Sequence, residues 1–360
     1  MRKIYKYNTH KKIMKVLQLE ESSKNKVIFH KYDRKILSLL CKNVRLPLAK
    51  IAKLMNLSRQ SIEYRIKVME KSQLIQGSRT VINIGKLGYQ SYHYFLSLGN
   101  SSDEKELVKK SIENMYVNTL ISYSGKWNYE LAIMARNPKE AQDQFLNLIK
   151  DFKIINYLPC IILETIKAEV LPNLIDEKIP QIKNIKNDPS FSKQFSLIEQ
   201  KYTPDEKDLS LMYLLSQNAQ LSLLELGRQL HLGRDSIAYR IKKLIRSGYI
   251  KEFRPIINYD ILSFSVQSIL IKSNNQDDKE KFKLFLKNNK NVIWATELFG
   301  TWDYLIYILD YNQEEIHGFI SNIKTNFPSL IGSYEILFAY KEHKYSFMSE
   351  VMKNQTSNTT

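Results

Sequence analysis

The chain has 360 residues, 43% of them hydrophobic and 25% charged, the composition of a soluble globular protein with room for two to four domains. Its 54 Lys and Arg against 37 Asp and Glu leave a formal charge of +17, which favours polyanionic partners, nucleic acid before anionic membrane. Two cysteines and six histidines without HxxxH or HExxH pairing offer no disulfide framework or metal site, and no run of about 18 apolar residues offers a membrane span.

In chain order, residues 1–31 read as a basic arm, in which Arg2, Lys3, Lys6, Lys11, Lys12 and Lys15 add nonspecific phosphate attraction or simply form a solvated end. Because the arm lacks a continuous apolar segment before a small-residue cleavage site, it is not a secretory signal, and a cytoplasmic address is expected. Residues 32–86 read as a winged helix-turn-helix. "DRKILSLLCK" puts Ile36, Leu37, Leu39 and Leu40 on one helical face, and "LPLAKIAKLMNL" continues with Leu48, Ile51, Ala52 and Met55. After the short "NLS", Ser58 is placed to cap a third helix whose Ile62, Ile66 and Met69 face inward. "IQGSRTVIN" then alternates as a small wing with Gly77 at the bend. Residues 87–175 change period to β-α-β-β-α-β, the ferredoxin-like arrangement. A linker with Pro180 and Pro189 spans 176–203.

From residue 204 the pattern starts again. At an offset of 175, Asp33 falls on Asp208, Leu57 on Leu232, Ile75 on Ile250, Arg79 on Arg254, and "GKWNY" on "GTWDY" without a gap. Such a long period is a duplicated two-domain unit rather than a solenoid. The second winged helix-turn-helix is expected over 204–261, with Gly233 in place of Ser58. A second ferredoxin-like domain is expected over 262–347, and a disordered tail over 348–360. The fold class is therefore α+β, two repeats of a winged helix-turn-helix followed by a βαββαβ domain.

Packing the isoleucine stripe inward leaves the rest of the third helix free to meet DNA. In the first copy this selects Arg59, Gln60, Ser61, Tyr64, Arg65 and Lys67. In the second it selects Arg234, Asp235, Ser236, Tyr239, Arg240, Lys242 and Lys243. Early residues of such a helix reach base edges, Arg suiting guanine and Gln adenine. Lys67, Lys242, Lys243, Arg79 and Arg254 suit phosphate contacts, which fix register without reading sequence. Arg65 and Arg240 flank the stripe and serve either side; Tyr64 and Tyr239 either pack on the first helix or face outward. The outward faces differ, Gln60 against Asp235 and Glu63 against Ala238. The expected partner is double-stranded DNA, read at an asymmetric site by an intramolecular pseudo-dimer, with further homo-oligomerisation left open.

"LSRQSIEYRI" followed by a wing and a βαββαβ domain with "GxWxY" resembles the Lrp/AsnC (feast/famine) transcriptional regulators, once per unit. The resemblance implies that the second domain pairs with a partner's sheet and senses a small molecule, often an amino acid. Gly125, Trp127 and Asn128, with Gly300, Trp302 and Asp303, are the implied effector residues. This sequence departs from the family at Gln73, where Gly is usual and where copy two has Gly248, and at Asn128, where Asp is usual. Two other readings stand beside the regulator. One is an architectural, chromatin-like DNA binder without an effector. The other is an enzyme, since sirohaem decarboxylases look similar and rely on a His ligand and Arg residues in the second domain. "NTLISYSGKWNY" and "IWATELFGTWDY" contain no His, so no catalytic residue, cofactor or metal is assigned.

Overall fold

A computed structural model describes residues 31–171, 202–274, 278–310 and 313–354. Residues 1–30 of the arm, almost all of the linker and residues 355–360 of the expected tail lie outside these residues.

The first unit opens with helices α1 (Lys31–Lys42), α2 (Leu48–Met55) and α3 (Arg59–Lys71). Asn56, in the left-handed region at φ 52°, ends α2 and turns the chain at once into α3. Ser58 caps α3 by accepting from the Ser61 amide at 3.1 Å. Ile36, Leu37, Leu39, Leu40, Ile51, Ile62, Ile66 and Met69 are buried together, the face that the sequence marks. The second unit repeats this with α6 (Glu206–Gln217), α7 (Leu223–Leu230) and α8 (Arg234–Arg246), where Gly233 precedes α8 without a side-chain cap.

The strands after the third helices, β1 (Ile75–Ile82) and β6 (Ile250–Ile257), do not turn back as separate wings. They pair with each other, antiparallel, with Arg79 opposite Arg254. A lone strand leaves its backbone donors and acceptors unmatched, and here each unit supplies the other's partner. The exchange is reciprocal. Val44 N donates to Phe253 O and Ala219 N to Ser78 O; Asn83 N donates to Tyr249 O and Asn258 N to Leu74 O. At the offset of 175 each pair is the other's image, so a pseudo-two-fold axis passes through the β1–β6 ribbon.

The downstream halves carry β2 (Gln90–Leu98), α4 (Glu104–Glu113), β3 (Val117–Ser124), β4 (Tyr129–Ala135), α5 (Pro138–Ile149) and β5 (Ile154–Ala168). Their second-unit equivalents are β7 (Ser265–Ser273), α9 (Lys279–Asn288), β8 (Val292–Gly300), β9 (Tyr304–Asp310), α10 (Gln313–Asn326) and β10 (Ile331–Tyr345). Each half is βαββαβ as expected, but the two sheets do not stay separate. They close into one eight-stranded barrel in the order β10-β3-β4-β2-β5-β8-β9-β7, sealed where β5 meets β8 and β10 meets β3. Period-2 alternation sends Tyr94, Leu96, Leu131 and Ile133 outward under α4 and α5, against Leu107 and Phe145. The intervening Phe95, Tyr123, Leu305 and Tyr307 point into the barrel.

Lysines latch the seams. Lys167 Nζ donates to Asn289 O at 2.7 Å beyond the end of α9, and Lys344 Nζ donates to Ile112 O at 2.7 Å and Asn114 O at 2.9 Å at the end of α4. A cation suits the carbonyl-rich end of a helix. Burial nevertheless pushes the Lys344 ammonium down to about 8. A lysine that loses its proton more readily folded than unfolded stabilises the fold increasingly as the pH rises from about 8 towards its ordinary value. Denaturation midpoints should therefore carry a rising component between pH 8 and 9.5 that Lys344→Met removes; identical slopes for the two proteins would refute it.

Two local departures have clear physical causes. Within 348–354, expected as a disordered tail, a 3₁₀ turn (Glu350–Asn354) forms, and Met348 before it and Met352 within it are buried in the second helix-turn-helix core. Their apolar side chains are too few and too irregular to show a period. Gln73 adopts φ 61°, matching φ 72° at Gly248. A side chain in that region costs about 1–2 kcal/mol, so Gln73→Gly should raise the unfolding free energy by about 1 kcal/mol in denaturant melts. A lower midpoint would show that the turn is not strained.

Candidate DNA-binding surface

With Ile62, Ile66 and Met69 packed below, α3 presents Arg59, Gln60, Tyr64 and Lys67 to solvent, and α8 presents Arg234, Asp235, Tyr239 and Lys242. Ser61 and Ser236 are half-buried in the first turns. Tyr64 is 70% exposed and Tyr239 64%, so neither packs on its first helix. Glu63 lies one turn before Lys67 and pairs with it at 2.9 Å. The hydrogen bond holds the Glu63 carboxyl below its usual range and raises the Lys67 ammonium. In the second unit Ala238 occupies the Glu63 position and leaves Lys242 without that acid. Lys243 is half-buried, its Nζ 3.8 Å from the centre of the Tyr202 ring.

Four expected DNA contacts are placed elsewhere. Arg65 reaches back to Asp33 at 2.6 Å, and Arg240 to Asp205 and Asp208, each at 2.8 Å. Of the two roles open to them, these arginines take the inward one, bolting the third helix to the start of the first through a buried acid. Burial works against the Arg240 charge, but the two carboxylates outweigh it and raise its pKa. Arg79 and Arg254, expected at phosphate, also have partners within the protein. Arg79 pairs with Glu342 at 2.8 Å over the Tyr345 ring, and Arg254 pairs with Glu252 at 2.7 Å and donates to Ala168 O at 3.0 Å. Their strand alternation turns them from the helices toward the barrel, where they join the two layers.

The implied effector residues form two equivalent turns. Gly125 and Gly300, at φ 134° and 143°, allow a bend that a side chain would strain. Trp127 and Trp302 are buried, and Trp127 Nε1 donates to Glu335 at 3.1 Å. Asn128 Oδ1 accepts from Leu98 N, and Asp303 Oδ2 from Ser273 N, both at 2.7 Å. Both side chains thus finish a strand edge. Asp303 also pairs with the partly exposed Lys272 at 3.2 Å; the first unit has Ser97 and Asn128 at these two positions.

One cluster escaped the sequence reading: Glu130, fully buried inside the barrel, bonded to His93, Tyr123 and Tyr307. Its signal was a single carboxylate in the apolar run "NYELAIMA". Among the described residues no group of three or more His, Cys, Asp or Glu is placed to hold a metal, and no helix is long and apolar enough to cross a membrane.

Two helix-turn-helix modules on one ribbon, each showing a basic helix face, define a DNA-binding protein. A family profile described as "Winged helix-turn-helix DNA-binding" matches residues 29–76 and 204–251. The chain is 32% identical to the HTH-type transcriptional regulator LrpA of Pyrococcus horikoshii over 138 residues, 38% of this chain and 96% of that protein. It is 21% identical to LrpB of Bacillus subtilis over 151 residues, 42% of this chain and 98% of that one. Each of these regulators therefore corresponds to about one unit. Across both units the fold is similar to the siroheme decarboxylase NirDL in complex with an iron-uroporphyrin III analogue (TM-score 0.59, 14% identity, 90% of this chain and 97% of that one). The chain belongs to the Lrp/AsnC family of DNA-binding transcriptional regulators, with two family units in tandem.

Proposed function

We propose that the chain is a single-chain pseudo-dimer that reads an asymmetric double-stranded DNA site with α3 and α8. The observation that carries this is the unlike outward chemistry of two helices related by one pseudo-two-fold axis: Gln60 and Glu63 on one, Asp235 and Ala238 on the other. Identical helices on such an axis read a palindrome, and half-sites lie about one helical turn apart, roughly 34 Å, or a multiple of it. The modules also differ in charge. Residues 32–86 hold twelve Lys and Arg against three Asp and Glu; residues 204–261 hold nine against seven. The first module thus anchors to phosphate, and the second adds selectivity with less electrostatic help. Selection from random duplexes at two salt concentrations tests this. An asymmetric motif surviving the higher salt is expected. Binding that vanishes with salt and selects no motif would favour an architectural binder.

The effector reading is favoured at the second unit. Lys272 and Asp303, side by side and partly exposed, complement the carboxylate and ammonium of a free amino acid, and the first unit has the uncharged Ser97 and Asn128 at the equivalent positions. Calorimetric titration with a panel of amino acids should find a ligand whose binding is lost in Asp303→Asn. Heat from none of them would remove the proposal.

We read the chain as a regulator and not as an enzyme, since likeness to the decarboxylase is a likeness of fold. Both ring nitrogens of His93, the histidine buried inside the barrel, are engaged, Nδ1 with Glu130 at 2.7 Å and Nε2 with Ser91 at 3.2 Å. Titration with an iron porphyrin should produce no shifted Soret band; a saturable shift would reopen the enzyme reading.

A further inference from the structure

The polar cluster inside the barrel is built from both units. Glu130 Oε1 accepts from His93 Nδ1 at 2.7 Å, and Oε2 accepts from Tyr123 and Tyr307 hydroxyls, each at 2.6 Å. With the Tyr123 proton directed at the carboxylate, Ser268 Oγ donates to the Tyr123 oxygen at 2.9 Å. Burial opposes ionisation of Glu130, but its donors outweigh burial and hold the carboxyl below the usual range. The first unit supplies the acid and two donors; the second supplies the third donor and the serine.

None of these positions is conserved between the units. At the offset of 175, His93 corresponds to Ser268, Tyr123 to Leu298, Glu130 to Leu305, and Ala132 to Tyr307. Consider the same axis relating two copies of one unit. Two first units would enclose two buried carboxylates, each facing Ala132 where Tyr307 now donates. Two second units would set buried Tyr307 hydroxyls against Leu305, with no carboxylate to accept. A buried polar cluster is favourable only when every member is matched, and a half-matched one is worse than an apolar core. Only the unlike pair matches all of them.

We propose that this cluster is the pairing determinant of the barrel: it makes each unit accept its unlike partner and refuse a like one. The two halves of a chain then close on each other. Neither recruits a like half from a second copy of this chain, nor a single-unit relative that lacks the complementary residues. The linker raises the chance of internal closure, but chemistry inside the barrel decides which closure is satisfied.

The test uses the whole protein with a protease site placed in the 176–203 segment and cut after folding. The nicked protein is incubated to allow exchange, and native mass spectrometry counts unlike and like pairs. Random reassortment would give like, unlike and like pairs as 1:2:1. Wild type should show a ratio of unlike to like pairs at least about tenfold above the random 1:1, equivalent to about 1.4 kcal/mol per pair. His93→Ser with Tyr123→Leu and Glu130→Leu gives the first unit the second unit's residues, and pairs of first units should then appear in near-random proportion. Tyr307→Ala alone leaves all first-unit residues intact and should also lower the unlike excess, which keeps the test decisive should the triple variant not fold. Random pairing in wild type, or an unchanged excess in the folded variants, would overturn the proposal. Because neither readout involves DNA, failure here leaves the DNA-reading proposal standing.

Discussion

Glu130→Ala should lower the unfolding free energy by about 3–5 kcal/mol, the size seen when one partner of a buried charged cluster is removed. Glu130 is fully inaccessible, and its loss strands the His93 Nδ1 proton and two tyrosine hydroxyls in an apolar barrel. A buried donor without a partner loses its hydration and gains nothing in return. Glu130→Gln, which keeps one acceptor oxygen, should cost less than Ala. The contribution should also depend on pH. Because the folded carboxyl sits below its usual range, it stabilises at neutral pH and loses that effect as the pH falls through the folded value. Urea denaturation of the three proteins at pH 7 and at acidic pH measures this, and a loss under about 1 kcal/mol for Ala at pH 7 would mean that the cluster is not matched as described.

Arg59→Ala should weaken binding to the selected DNA by about ten- to a hundredfold, the range for one bidentate arginine–guanine contact of about 1–3 kcal/mol. Arg234→Ala should weaken it less. Asp235 stands next to Arg234 at the start of α8, whereas Arg59 is followed by the neutral Gln60. The arginine on the second helix therefore works against a carboxylate that phosphate repels. Lys67→Ala should lower affinity across all sequences, modestly, because Glu63 already holds its ammonium. Fluorescence anisotropy on the selected duplex and a scrambled one separates these effects. Equal losses for Arg59→Ala and Arg234→Ala would remove the idea of an anchor module and a selective one.

Much of this architecture was legible because it rests on short-range periodicity. The stripe of Ile62, Ile66 and Met69 locates α3, Ser58 locates its start, and alternation in "SYHYFLSLG" locates β2. Duplication made the reading firmer, since each element is specified twice. What escaped depends on long-range pairing. "IQGSRTVIN" shows a strand with one buried face but not the identity of its neighbour, so a wing was expected where β1 takes β6. The same gap hid the closure of two sheets into one barrel. It also hid Glu342 as the partner of Arg79 and Ala168 as that of Arg254, and these arginines therefore read as DNA contacts. Arg65 and Arg240 were ambiguous because an arginine beside a helix stripe can reach either way; the acids at Asp33 and Asp208 decide it. For the turns at Gly125 and Gly300, the resemblance led to a pair of sites; the side chains show two strand-edge caps, with a partly exposed acid–base pair beside each, Lys126–Glu335 at the first and Lys272–Asp303 at the second.

The most direct measurement repeats the random-duplex selection with a variant whose second helix carries the first helix's outward residues, Asp235→Gln with Ala238→Glu. If α3 and α8 are the readers, wild type returns an asymmetric motif and the variant returns one whose two halves are inverted copies. An unchanged motif in the variant, or a palindrome already in wild type, would contradict a chain that reads DNA with two unlike helices.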